Sequence, residues 1–75
     1  MDKDIKRIVA KTFNIDESKV RLDQEMKDIA LWDSLGHMNL ISELEGHYNI
    51  EFEFEEMFEI VSVGSILEVI KNKID

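Results

Sequence analysis

Asp33, Ser34 and His37 fall together in LWDSLGHMNLI, which runs from Leu31 to Ile41. A serine beside an aspartate, with a histidine one helical turn on, admits three kinds of chemistry. Ser34 could be a nucleophile activated by His37. It could accept a covalent group. Or Asp33 and Ser34 could do no more than begin a helix, since both residue types are common caps. The hydrolase reading is the weakest, because no oxyanion donors, third orienting group or pocket are evident around one serine and one histidine on a small helix. A cap and an attachment point explain the same residues, and local chemistry alone favours the cap.

Other sources of chemistry are scarce. The chain has no cysteine, which removes disulfides, thiolate metal ligands and a protein thiol nucleophile together. His37 and His47 lack the i, i+4 spacing of paired helical metal ligands. Glu51, Glu53, Glu55, Glu56 and Glu59 cluster without the calcium-loop pattern, so they read as a solvated acidic face. The metal expectation is none, and the chain is not expected to be an enzyme.

Helices must position these residues. Ile5, Ile8, Val9 and Phe13 make one apolar stripe, and Asp2 and Asp4 suit a helix N-terminus, which predicts a helix over about 2–14. The connection from Asp16 to Trp32 exceeds the ~12–15 residues usual for unstructured loops, so it should pack on the core or serve a function. Val20 and Met26 are its expected anchors. The second helix should start near Ser34, with Leu35, Met38, Ile41, Leu44 and Tyr48 on one face, Leu40 widening it, and Asn39 and Glu43 opposite. Gly46 and Tyr48-Asn49 suggest its end.

Ile50, Phe52 and Phe54 alternate with acids as a strand would, but a lone strand is not stable. An extended connection and a short helix around Glu55–Glu59 are predicted instead. Phe52, Phe54, Met57 and Phe58 should lie in the core or at its edge. Ser62 should cap a last helix with Val63, Ile66, Leu67, Ile70 and Ile74 on one face, and Lys71 and Lys73 at its C-terminal end. The expectation is an all-α, small four-helix bundle: three longer helices, a short third one, a long first connection, and a single domain over 1–75.

Seventeen acids against nine bases give a formal charge of −8. Such a surface repels nucleic acid and anionic membranes and attracts basic protein surfaces. No apolar run approaches the ~20 residues of a membrane span, and no signal peptide is visible at MDKDIKR, so the expected location is cytoplasmic. Asp28, Asp33, Glu43 and Glu45 are the expected charged partner contacts, and Trp32 and Met38 the apolar ones, although packing on the core is the plainer explanation of Trp32. An acidic helical adaptor or inhibitor, with Ser34 only a cap, is the competing function.

Asp33-Ser34-Leu35, following a long connection and opening an apolar-striped helix, resembles the attachment motif of acyl carrier proteins. The spacing from Ser34 through LISELEGHYNIEF to IVSVGSILEVI is similar to that family too, so the resemblance covers essentially the whole chain. It implies that Ser34, flanked by Asp33 and Leu35, receives 4′-phosphopantetheine from coenzyme A through a phosphopantetheinyl transferase. The arm then holds an acyl or aminoacyl group as a thioester. Further implied partners are a loading enzyme and an acyltransferase or synthase, met by a monomeric carrier. The missing cysteine then makes sense, because the thiol comes with the cofactor. Leu35, Met38, Ile41, Leu44, Phe52 and Met57 are the expected walls of a cargo cavity. Gly36, Asn39, Gly46 and Glu53 depart from the fatty-acid carriers, and WDSLGH is more similar to dedicated carriers of specialised pathways.

Overall fold

The computed structural model describes residues 1–74. It contains α1 (Asp2–Phe13), α2 (Ser34–Tyr48), α3 (Phe54–Glu59) and α4 (Val63–Ile74), with two single 3₁₀ turns, Glu17–Lys19 and Met26–Asp28, in the long first connection. The all-α, four-helix architecture expected from the periodicity is the one observed, with α3 beginning one residue earlier than predicted.

Local sequence accounts for most boundaries. Asn14 and Asn49 adopt left-handed conformations (φ 56° and 55°) just past α1 and α2, a geometry that asparagine tolerates better than most side chains. Gly46, read as part of the stop signal, lies inside α2. The Glu53 N–H donates to Glu56 at 2.7 Å, one half of a reciprocal cap that starts α3. The Ser65 N–H donates to Ser62 Oγ at 3.1 Å, which makes Ser62 the cap of α4.

One apolar cluster holds the bundle together. Ile5, Val9 and Phe13 of α1 meet Leu40, Ile41 and Leu44 of α2 and Val63, Ile66 and Ile70 of α4. The connection closes the open end with Val20, Ile29 and Trp32, and Met26 packs partly against the same cluster. The expected anchors Val20 and Met26 are thus in place, and Ile29 joins them. Part of the connection's backbone is paired by Val61 before α4 and by the first turn of α4. The Met26 N–H donates to the Val61 carbonyl, the Val63 N–H to Gln24 and the Gly64 N–H to Leu22, at 2.8–3.2 Å. The long connection is therefore a structural strap.

Several apolar residues lie elsewhere than the sequence predicts. On α2 the buried line is Gly36, Leu40, Ile41 and Leu44, whereas Leu35 and Met38 are 76% and 53% exposed. Phe54 and Phe58 are exposed and pack edge to face on each other, with centroids 5.0 Å apart. Of the four α3-region apolar side chains, Phe52 is buried and Met57 partly so. Ile74 is exposed, and Val69 takes a core position. The physical reason is shared. A stripe wider than the contact it can make leaves one edge outside, and on the six-residue α3 the Phe54–Phe58 pair shares the face turned away from the core.

Candidate functional site

The site forms at the N-terminus of α2. Asp33 has extended backbone geometry and accepts the Gly36 N–H at 2.8 Å, while its carbonyl accepts the His37 N–H at 2.8 Å. Asp33 is therefore the cap and Ser34 the first helical residue. Ser34 is exposed, and among the described residues nothing hydrogen-bonds its Oγ. The first four N–H groups of a helix have no intrahelical partner. Here the Asp33 carboxylate takes that of Gly36, and His37 makes the first ordinary helical bond to the Asp33 carbonyl. This leaves the Ser34 and Leu35 N–H groups without a hydrogen-bond partner among the described residues, at the positive end of the helix dipole.

Gly36 brings the strap close. A Cβ there would collide with the Leu31 carbonyl and stand 3.1 Å from the Phe13 ring. The glycine lets the turn before Ser34 pack onto α1, a requirement that no sequence pattern announces.

Beside Ser34 lies an apolar groove of about 370 Å³ between α2 and α3, lined by Met26, Ser34, His37, Met38, Met57, Phe58, Ile60 and Val61. Of the expected cavity walls, Met38 and Met57 line it. Ile41, Leu44 and Phe52 do not: they are 2%, 0% and 6% exposed and fill the core. Leu35 points away from the core on the open side of α2. Phe58 and Val61, not expected there, complete the wall.

Trp32 is 3% exposed, so it is no surface contact for a partner. Its ring stacks on Phe13 at 5.4 Å, and its indole N–H donates to His37 Nδ1 at 2.9 Å. On the other side of the imidazole, Nε2 lies 2.9 Å from the Met57 carbonyl. His37 thus joins three elements, a role that neither the base nor the metal-ligand reading of the sequence contains. His47 is exposed and rests edge-on against Tyr48.

The expected acidic contacts divide. Glu43 is exposed. Glu45 is half-buried and accepts the Phe52 N–H at 2.9 Å, and Asp28 accepts the Glu25 N–H at 2.9 Å. Both carboxylates hold backbone, so neither is wholly available to a partner. Glu56 pairs with Lys73 at 2.8 Å, and this hydrogen bond to the ammonium holds its carboxyl below the usual range. No lysine or arginine stands between Lys27 and Lys71, a stretch that carries ten of the seventeen acids. The site and groove therefore sit in the acidic half of the chain. No cluster of metal-ligating side chains occurs among the described residues.

The family model described as "Phosphopantetheine attachment site" matches residues 3–70. The chain belongs to the acyl carrier protein family. Curated acyl carrier proteins resemble it over most of their length. That of Helicobacter pylori strain J99 is 36% identical over 70 residues, 92% of this chain and 88% of the relative. That of Buchnera aphidicola subsp. Baizongia pistaciae is 34% identical over 71 residues, 95% and 91% of the two chains. That of Clostridium acetobutylicum is 33% identical over 67 residues, 89% and 87%. Members of this family are carriers rather than catalysts, and their covalent cofactor is 4′-phosphopantetheine. The residues of this carrier fit that group: an exposed, unengaged hydroxyl, the Ser34 and Leu35 N–H groups suited to a phosphodiester, and an apolar groove alongside. Among the described residues no helix is long and apolar enough to cross a membrane.

Proposed function

We propose that Ser34 is the residue that carries 4′-phosphopantetheine and that the cargo is an acyl group sheltered in the groove beside it. The observation that carries this reading is the division of labour at the start of α2. Asp33 does the capping, so the neighbouring hydroxyl is left for chemistry. When attached, the arm supplies the terminal thiol on which cargo is held, a group this cysteine-free chain lacks. The Ser34 and Leu35 N–H groups meet the phosphodiester, and the helix dipole favours its negative charge. Met38, Met57, Phe58 and Val61 offer apolar contact, which suits an alkyl chain better than the charged amine of an aminoacyl group.

The partners on this reading are a phosphopantetheinyl transferase, an acyl-loading enzyme, and an acyltransferase or synthase, met by a monomeric single-domain carrier in the cytoplasm. Leu35, Met38, Phe54 and Phe58 are exposed apolar side chains around the site, with the Asp33 carboxylate next to Ser34 and Glu43 on the α1 side of α2. Docking on basic partners should therefore weaken as salt rises.

The test is intact mass after incubation with coenzyme A, Mg²⁺ and a promiscuous phosphopantetheinyl transferase. The wild-type chain should gain one phosphopantetheine and Ser34→Ala none. A Ser34→Ala chain that is still modified would place the attachment elsewhere and overturn the assignment.

A further inference from the structure

His37 joins the connection, α2 and α3 beside the groove, and its two nitrogens have different partners. The Trp32 indole N–H can only donate, so Nδ1 must accept. The Met57 carbonyl can only accept, so Nε2 must carry the proton. Both bonds, each 2.9 Å, form together only in the neutral imidazole protonated at Nε2. The indole also lies nearly parallel to the imidazole, at 16° and 6.2 Å between centroids, so stacking as well as hydrogen bonding fixes the orientation of the ring.

The Met57 carbonyl belongs to the last turn of α3. Carbonyls there have no intrahelical partner, and the Val61 N–H that would bond it in a longer helix donates to Ser65 Oγ instead. His37 supplies the missing donor from α2. Apart from the buried residues Phe52 and Ile60 that flank it and the partly buried Met57, α3 is fastened to the other helices by two side-chain hydrogen bonds among the described residues. They are His37 on the groove side and Lys73, bonded to Glu56, on the α4 side. The first spans the groove, because His37 and Met57 both line it next to Ser34.

We propose that His37 is a positioning residue that latches α3 to α2 across the groove, and that its Nε2–H sets how tightly the groove closes over the acyl cargo. This rests on the reading of Ser34 as the attachment point only for the identity of what the groove holds; the latch itself is a property of the unmodified chain. Closing the latch keeps Met57 and Phe58 against Met38. Releasing it leaves α3 held by its flanks, the partial burial of Met57 and Lys73.

Three variants separate the bonds. His37→Gln can place an amide N–H near the Nε2 position and so keep the donor to Met57. His37→Asn can place an oxygen near the Nδ1 position and keep only the acceptor for Trp32. His37→Phe retains a ring to stack on Trp32 and loses both bonds. Amide hydrogen exchange of the unmodified proteins is the first measurement. Exchange at α3 and the segment up to Ile60 should speed up about five-fold or more in the Phe and Asn variants, the scale of one lost hydrogen bond. It should stay within about two-fold of wild type in the Gln variant, with α1 and α4 protection unchanged in all three.

The second measurement loads each chain with an octanoyl-phosphopantetheine group from octanoyl coenzyme A and follows thioester cleavage by hydroxylamine. Cleavage should accelerate in Phe and Asn, and be restored toward wild type in Gln. Wild-type α3 exchange in both the Phe and Asn variants, or Gln behaving as Phe does, would overturn the latch. A chain that takes up no mass in the loading step overturns the carrier assignment instead, and leaves hydrogen exchange to decide the latch.

Discussion

Two apolar surfaces of this carrier are built from the same kinds of residue and end in opposite states. Where α1, α2 and α4 meet, Val9, Leu40, Leu44 and Ile66 are wholly buried. Where α2 and α3 face each other beside Ser34, Met38, Phe54, Phe58 and Val61 each leave half or more of their surface in water. The first surface holds the fold. The second is kept open beside Ser34, and a carrier needs a surface on which to meet a succession of enzymes. Contiguous exposed apolar area in a small protein marks an interaction site more often than an accident.

The contrast is sharpest in truncation. Leu40→Ala or Ile66→Ala should cost about 2–5 kcal/mol, because transfer energy and a cavity are lost together. Met38→Ala should change stability by less than about 0.5 kcal/mol. Urea melts of the variants measure both. Comparable losses at Met38 and Leu40 would mean that the open face is part of the core after all.

Glycines give the next test. Gly36→Ala drives a methyl against the Leu31 carbonyl and the Phe13 ring, so it should destabilise by roughly 1–3 kcal/mol. Gly46→Ala meets nothing within 4 Å and replaces an exposed mid-helix glycine, which should stabilise by about 0.5–1 kcal/mol. Opposite shifts in Tm are the expected result. A tolerated Gly36→Ala would show that the strap can withdraw from α2 at little cost.

At the edge between the two surfaces, Asp33→Ala should lose about 1 kcal/mol with its cap. Ser34→Ala should be close to neutral, alanine being the best helix former. The reverse ranking in urea would make Ser34 structural. The smallest effect concerns Glu56, whose carboxyl is held below its ordinary value by Lys73. A depressed carboxyl stabilises the fold above its unfolded value and ceases to as pH falls through the folded one. The wild type should therefore lose part of its advantage over Glu56→Gln on acidification, as Tm against pH would show.

Helix order and the position of Ser34 at the start of α2 were legible in the sequence because they are local, whereas the choice of Asp33 over Ser34 as the cap is settled by the structure. Asp33 stands before an apolar period, Asn49 follows it, and Ser62 opens the last helix. What was not legible depends on which neighbour a side chain meets. Leu35 and Met38 share the helical period of Ile41 and Leu44, and only the placement of α1 and α4 decides which pair is covered. Trp32 beside a functional serine reads as a contact for partners. Its burial follows from the strap folding under α2, which Gly36 permits and nothing in the pattern foretells. His37 could not be assigned because its Met57 partner lies twenty residues away.

The placement of Trp32 also bears on how this carrier can be observed. It is the only tryptophan in the chain, and it sits at the base of the site, bonded to the ring that lines the groove. Its emission therefore comes from one dry, defined position within a few ångströms of where cargo would lie. Changes in colour or intensity on loading report the site itself, with no attached dye.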